Sequence, residues 1–285
     1  MAKQSVRIRI KGSTILKWIV AIVVLIIALF PIWWVISIAF SDPGIPVSVK
    51  PRLYPSSLSA GIQNIVKAIT ENNSQFLRAY LTTTLYTVFT ILGVLILCSM
   101  AAYEFALFEF PGKKILFSLA LFAMMIPTVV TLVPTYLLVA DLGWINTLQG
   151  LVVPGIASAF GLFMLTQFFQ DIPREIMDAA VIDGASHFGV YRYVVMPLST
   201  NALVTLAIIT FINTWGNFVW PLVIATSENT FTVSQMINRY NGQFTRASIN
   251  TIMTVNLLAA VLPLLFFIIF QNKIIKGISM SGLKG

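Results

Sequence analysis

The sequence predicts an all-α membrane protein, a bundle of about six transmembrane helices. Of its 285 residues, 58% are hydrophobic and only 10% charged, with a mean hydropathy of +0.88, far from the balance of a soluble domain. The apolar residues come in continuous runs of roughly the 20 residues that a helix needs to cross the hydrocarbon core. They do not alternate every second residue, as the strands of a barrel do. In lipid only helices and closed barrels satisfy their own backbone polar groups, so continuous runs mean helices.

A basic tail, 1–15, precedes a first span at 16–40. The apolar region Trp18 to Phe40 exceeds the roughly 7 to 15 residues of a signal peptide core, so it reads as an uncleaved span, although Ser37 to Ala39 resembles a cleavage pattern. An external segment, 41–78, carries Pro43, Pro46, Pro51 and Pro55, which suit an extended loop, and then a short interfacial helix from Leu58 to Thr70. Further spans are expected at 79–107, 115–140, 147–169, 200–225 and 251–270, which make up a core of 79–270, followed by a tail of 271–285. Lys3, Arg7, Arg9, Lys11, Lys17, Lys113, Lys114, Arg174, Arg192, Lys273, Lys276 and Lys284 fall on one side of this arrangement. The positive-inside rule puts that side, both termini and the loop 171–197 in the cytoplasm.

The net charge of +8 does not point to nucleic acid, because the basic residues are scattered among loops rather than interleaved with aromatics; membrane lipids account for them better. A single cysteine, Cys98, allows no disulfide within the chain and reads as packing. A single histidine, His187, excludes a zinc site built on two. "PGKK" at 111–114 lacks the earlier glycine and the hydroxyl residue of a phosphate-cradling loop, so the chain has no ATP site of its own. The spans also lack the embedded charges of an ion-coupled secondary transporter, the alternative reading, since Glu104 lies at a span end. An intramembrane hydrolase, a third possibility, needs a nucleophile and a base; His187 follows Ser186 directly, and adjacent side chains on a helix point apart.

Between two of the most apolar stretches lies "EIMDAAVIDGASHFGVYRYVVMPL", residues 175–198. Asp171 suits the cap of a helix whose first turn holds Pro173 and Glu175. Ile176, Ala179 and Ala180 then share a face, and Gly184 is placed to end the helix in the left-handed conformation. Ser186 suits the cap of a second helix with Phe188, Tyr191 and Val195 on one face, interrupted at Pro197. The pair reads either as a small-residue knob for another protein, with Asp178 and Asp183 as ionic contacts, or as an amphipathic loop lying on headgroups. Tyr191 and Tyr193 suit headgroup anchors, and Glu175 and Arg192 read equally as solvated charges.

The polar residues inside the spans are uncharged. Thr128, Thr131 and Thr135 form one stripe beside Pro127 and Pro134, and Thr210, Asn213, Asn217 and Trp220 form another. Amides and an aromatic face suit a neutral, hydroxyl-rich solute, but the same residues commonly bond helix to helix.

"DAAVIDGA", followed by Phe188 and "VMPL", resembles the cytoplasmic signature of permease subunits of binding-protein-dependent ABC importers. "AAYEFALFEFPGKK", "MIPTVVTLVPTYLLVADLGWINTLQG", "FQDIPREI", "WGNFVWPL" and "KIIKGISMSGLKG" extend the likeness from Leu77 to the C-terminus, toward the maltose-type carbohydrate permease that lacks a large external domain. The resemblance implies a type I ABC importer permease fold in a bacterial or archaeal cytoplasmic membrane, with 171–197 forming coupling helices that enter a cleft on the ATPase. It places Glu175, Asp178, Ala179, Ala180, Asp183, Gly184 and Phe188 at that contact, while the polar stripes make Thr131, Asn213, Asn217 and Trp220 the candidates for the pathway. It further implies no cofactor in this chain, ATP and magnesium on two partner ATPase subunits, a second homologous permease in a heterodimer, an external solute-binding protein and a carbohydrate substrate. Asp178 stands where glutamate is usual, carrying the same charge on a shorter reach. Asn201 replaces a frequent proline, and Gly216 separates a usual Trp-Asn pair, which loosens the assignment of Asn217.

Overall fold

The computed structural model describes residues 12–42, 53–241 and 248–281, with side chains described outside 12–15, 71–74 and 272–281. All regular structure among them is helical. Three helices are long and apolar enough to cross a membrane, and there are up to six crossings if three bent helix pairs each count as one. Two compact units divide the chain, the first holding the described residues up to 70 with 248–258, the second 71–241 with 259–281.

In the first unit, α1 (Gly12–Ala39) exposes apolar side chains from Leu16 to Trp33 and buries Ser37, Ile38 and Ala39 at its end. A helix end leaves carbonyls without partners. Here two buried carboxamides supply them: Asn64 Nδ2 donates to Ala39 O at 2.9 Å and Ser41 O at 3.0 Å, and Asn250 Nδ2 donates to Ile38 O and Ser41 O, both at 2.9 Å.

α2 (Leu58–Leu107) starts where the short interfacial helix is expected but continues unbroken for 50 residues. The polar run "ENNSQ" at 71–75 reads as a loop, yet it holds neither proline nor glycine and so carries nothing that stops a helix.

In the second unit three of the expected spans are interrupted. The run 115–140 is two helices, α3 (Lys113–Met124) and α4 (Thr128–Asp141), at 104° to each other. Pro127 lacks an amide proton and biases Ile126 away from helix, so the break falls there. The run 147–169 is α5 (Leu148–Val152) with a 3-10 turn to Gly155, then α6 (Ala159–Gln170), bent by 46°. Pro154 and Gly155 precede the bend, and Ser158 Oγ starts α6 by accepting from Gly161 N at 3.0 Å. The run 200–225 is α10 (Thr200–Trp215) and α11 (Val219–Ile224), parted at Gly216. α13 (Ile249–Ser281) extends past the expected 251–270.

One buried cluster joins Val94, Cys98, Ala102, Tyr103 and Ala106 of α2 to Leu165 and Phe169 of α6 and Ala202 and Leu206 of α10. Leu165, Phe169 and Ala202 are fully covered. Met177, Val190 and Val195 from the loop 171–197 complete the same cluster, so that loop is built on the transmembrane core. Its helices are α7 (Arg174–Ile182), α8 (His187–Val190), a π turn (Tyr191–Val195) and α9 (Met196–Leu198). At the opposite end of the α2 span, Gln75 Nε2 donates to Glu228 Oε2 at 2.5 Å and Arg78 bonds Asn229 Oδ1 at 3.1 Å, beside α12 (Val233–Asn241).

Candidate coupling surface and transport pathway

Asp171 does not cap α7. It ends α6, and the capping position belongs to Pro173, whose φ of −56° and ψ of 128° turn the chain without a side-chain bond. The proline is preset for that geometry. The face assignment also shifts: Met177 is buried and Ala180 half-buried against the core, while Ile176 and Ala179 face outward. A methionine reaches the Phe169 layer, whereas the short alanine at 179 leaves the opposite face flat. Glu175, Asp178, Asp183 and Gly184 are exposed on this outer side.

Gly184 has φ of +89°, as expected for the residue after a helix. Its amide donates to Val181 O at 3.0 Å and the Ala185 amide to Ala180 O at 2.9 Å. These two bonds are a Schellman ending, with Ala180 and Ala185 both turned to the core. Ser186 Oγ then accepts from Gly189 N at 3.2 Å and starts α8, again as expected.

Phe188 is exposed, but Tyr191 is not a headgroup anchor. Its hydroxyl lies 2.7 Å from Ser99 Oγ on α2, and its ring meets that of Tyr103 edge to face at 5.4 Å. Tyr103 in turn donates its hydroxyl proton to His187 O at 3.0 Å. Hydrogen bonds and ring contacts thus fasten the second helix to the core end of α2. Tyr193 remains 75% exposed, which leaves that position free to meet headgroups or a partner.

Pro197 does not interrupt the helix. The preceding π turn, in which Met196 N bonds Tyr191 O, accommodates it, and the chain bends by 75° only at Ser199, before α10.

Beside α7, Glu109 forms an ion pair with Lys113 at 2.8 Å, and the same ammonium donates to Phe108 O at 2.8 Å. The hydrogen bond and charge of Lys113, with smaller contributions from Arg174 and Lys114, hold the Glu109 carboxyl below its ordinary value of 4.5. The pair therefore contributes fully above the unfolded value of 4.5 and is lost as pH falls through the lower folded value. Carboxyl-selective NMR titration should find the Glu109 midpoint below 4.5 and see it rise toward that value in Lys113→Gln.

The expected pathway residues differ in what they touch. Asn217 Nδ2 donates to Tyr86 OH at 3.3 Å and its Oδ1 accepts from Trp220 N at 3.4 Å, while Trp220 Nε1 donates to Gly150 O at 3.1 Å. Asn217 and Trp220 therefore tie α11 to α2 and α5. Thr131 is exposed and bonds back to Thr128 O at 3.0 Å. Asn213 is exposed on α10, with no hydrogen-bond partner for its carboxamide among the described residues.

Asn146 was not singled out from the sequence, yet it organises this corner. With φ of +59°, it presents Oδ1 to Thr226 N and Ser227 N, both at 2.7 Å, and its own amide bonds Ile224 O at 2.9 Å. An asparagine tolerates that backbone conformation better than most residues, which with the preceding Gly143 was the available signal. Gly150 is equally fixed: a Cβ there would stand 2.2 Å from Trp144 O.

The described residues thus form a helical bundle with up to six crossings and an exposed helix pair fastened to one end of its core. The sequence matches the family described as binding-protein-dependent transport system inner membrane component over residues 93–280, and the chain belongs to that family. It is 29% identical to an arabinooligosaccharides transport system permease protein of Halalkalibacterium halodurans over 284 residues, covering 96% of this chain and 99% of the relative. A counterpart in Bacillus subtilis is 31% identical over 202 residues, covering 69% of this chain and 70% of the relative. An sn-glycerol-3-phosphate transport system permease protein of Rhizobium meliloti is 29% identical over 277 residues, covering 93% and 96%. The fold matches a chain of a bacterial ABC transporter involved in import of the acidic polysaccharide alginate, with a TM-score of 0.81 at 20% identity, over 92% of this chain and 98% of that one.

Proposed function

We propose that this chain is the permease subunit of an ATP-driven carbohydrate or polyol importer, forming half of the pathway with a second, homologous permease. Two ATPase subunits bind ATP and magnesium on the cytoplasmic side, where both termini of this chain also lie, and an external binding protein delivers the solute. The chain itself is not catalytic and takes no cofactor. The relatives named for arabinooligosaccharides and glycerol phosphate support a hydroxyl-rich solute.

The observation that carries this reading is the exposed tip of Glu175, Asp178, Ala179, Asp183, Gly184 and Phe188 resting on buried Met177, Val190 and Val195. Ala180 belongs to the packed side of the same helix. α7 follows α6 after three residues and α9 precedes α10 by one, so force applied at the tip passes directly into two membrane helices. Contacts that differ between nucleotide states then shift the bundle between inward- and outward-facing forms. On the pathway side, Asn213 and Thr131 offer polar groups to a solute, while Asn217 and Trp220 brace the wall.

In a Cys98→Ala background, a cysteine placed by Ala179→Cys should cross-link to the ATPase subunit, with a yield that changes between the ATP-bound and nucleotide-free complex. A thiol that stays unlinked and freely alkylated through the whole cycle overturns the proposal.

A further inference from the structure

We infer that the segment Phe108–Lys114 and Arg174 together hold the headgroup of an anionic phospholipid whose acyl chains lie along α3. α3 is one half of a bent pair apolar enough to cross a membrane, and it buries none of its own residues. Ile115, Leu116, Leu119 and Phe122 are all more than half exposed. This apolar surface begins immediately after a cluster of charge. Lys113 pairs with Glu109 at 2.8 Å, Lys114 follows it on the same exposed turn, and Lys114 and Arg174 each add a smaller attraction to that carboxylate.

The cluster has a fixed frame. Lys113 is spent on Glu109 and on Phe108 O, and its side chain is only 17% exposed. The rings of Phe110 and Phe117 both pack on Phe105 of α2, with centroids 5.5 Å away, which pins the loop and the first turns of α3. Lys114 and Arg174 stay exposed at the edge.

A soluble anion answers the cations and leaves the apolar helix uncovered, and an apolar protein face leaves the cations unanswered. A phospholipid with a net negative headgroup matches both parts in the order in which they occur. The leaflet follows from the cytoplasmic placement of the loop 171–197 in the proposed function. The binding itself does not depend on coupling and is measured without ATP.

The test uses the full chain with its partner subunits in phosphatidylcholine nanodiscs carrying trace spin-labelled phosphatidylglycerol or spin-labelled phosphatidylcholine. Electron paramagnetic resonance reads the ratio of immobilised to free label. The native chain is expected to prefer phosphatidylglycerol severalfold, and the preference should fall by up to roughly fivefold for each cation removed in Lys114→Gln and in Lys114→Gln with Arg174→Gln. Lys114→Gln lies outside the loop 171–197, so its result stands even if the double variant folds poorly. Lys17→Gln, which removes a cation of α1 and none of the proposed site, should leave the preference unchanged. Native selectivity in Lys114→Gln, an equal loss in Lys17→Gln, or displacement of the labelled lipid by inorganic phosphate would each overturn the site.

Discussion

Replacing Gly184 with proline is expected to abolish solute uptake while ATP hydrolysis by the assembled complex continues. Gly184 sits at φ of +89°, and its amide closes the end of α7 on Val181 O. Proline fixes φ near −65° and has no amide proton, so both the turn and its hydrogen bond are lost. α8 would then leave α7 in another direction, and the tip would no longer transmit force to α10. Gly184→Ala provides a graded comparison. No atom lies within 4 Å of the added Cβ, so its effect isolates the backbone cost of the left-handed conformation, about 1 to 2 kcal/mol. Proteoliposome uptake and phosphate release, measured on the same preparations, read both quantities. Undiminished uptake in Gly184→Pro would contradict the lever.

Removing the exposed side chain of Ile182, the last residue of α7, together with that of Phe188, as Ile182→Ala with Phe188→Ala, should weaken assembly with the ATPase subunits by about 2 kcal/mol or more, roughly thirtyfold in affinity. Ile182 is 85% exposed and Phe188 63%, so neither contributes much to the core. The temperature of unfolding of the isolated chain should therefore hardly change. Binding of labelled ATPase to nanodisc-held permease gives the first number and thermal unfolding the second. Loss of stability without loss of affinity would show that these side chains serve the fold rather than the partner.

The helical bundle was legible because hydrophobicity over some twenty residues averages out local detail. Turn chemistry was legible wherever one residue decides it: Gly184 and Ser186 take the conformations that their side chains favour. Bends within apolar runs were not. Pro127 breaks its run by 104°, whereas Pro134 sits inside α4 and Pro263 inside α13, and sequence alone does not tell a breaking proline from a tolerated one. Which side of a short amphipathic helix faces inward was also hidden. Met177 and Ile176 are adjacent and comparably apolar, and only the position of Phe169 and Tyr103 selects the methionine. Asn146 escaped notice for a related reason, since the partners of its Oδ1, Thr226, Ser227 and Thr230, lie 80 or more residues away.

The wide turn at Tyr191–Val195 has a bearing on how the tip tolerates change in length. An α-helix advances about 100° per residue, so one extra residue in a turn rotates all that follows by roughly a quarter of a circle while adding little height. His187–Val190 and Met196–Leu198 are thereby set out of phase. Loss of one amino acid here would act as a dial rather than a ruler, swinging the tip around its axis at nearly constant distance from the bilayer. Relatives that differ by a single residue in this stretch would then present a different side to the same docking cleft.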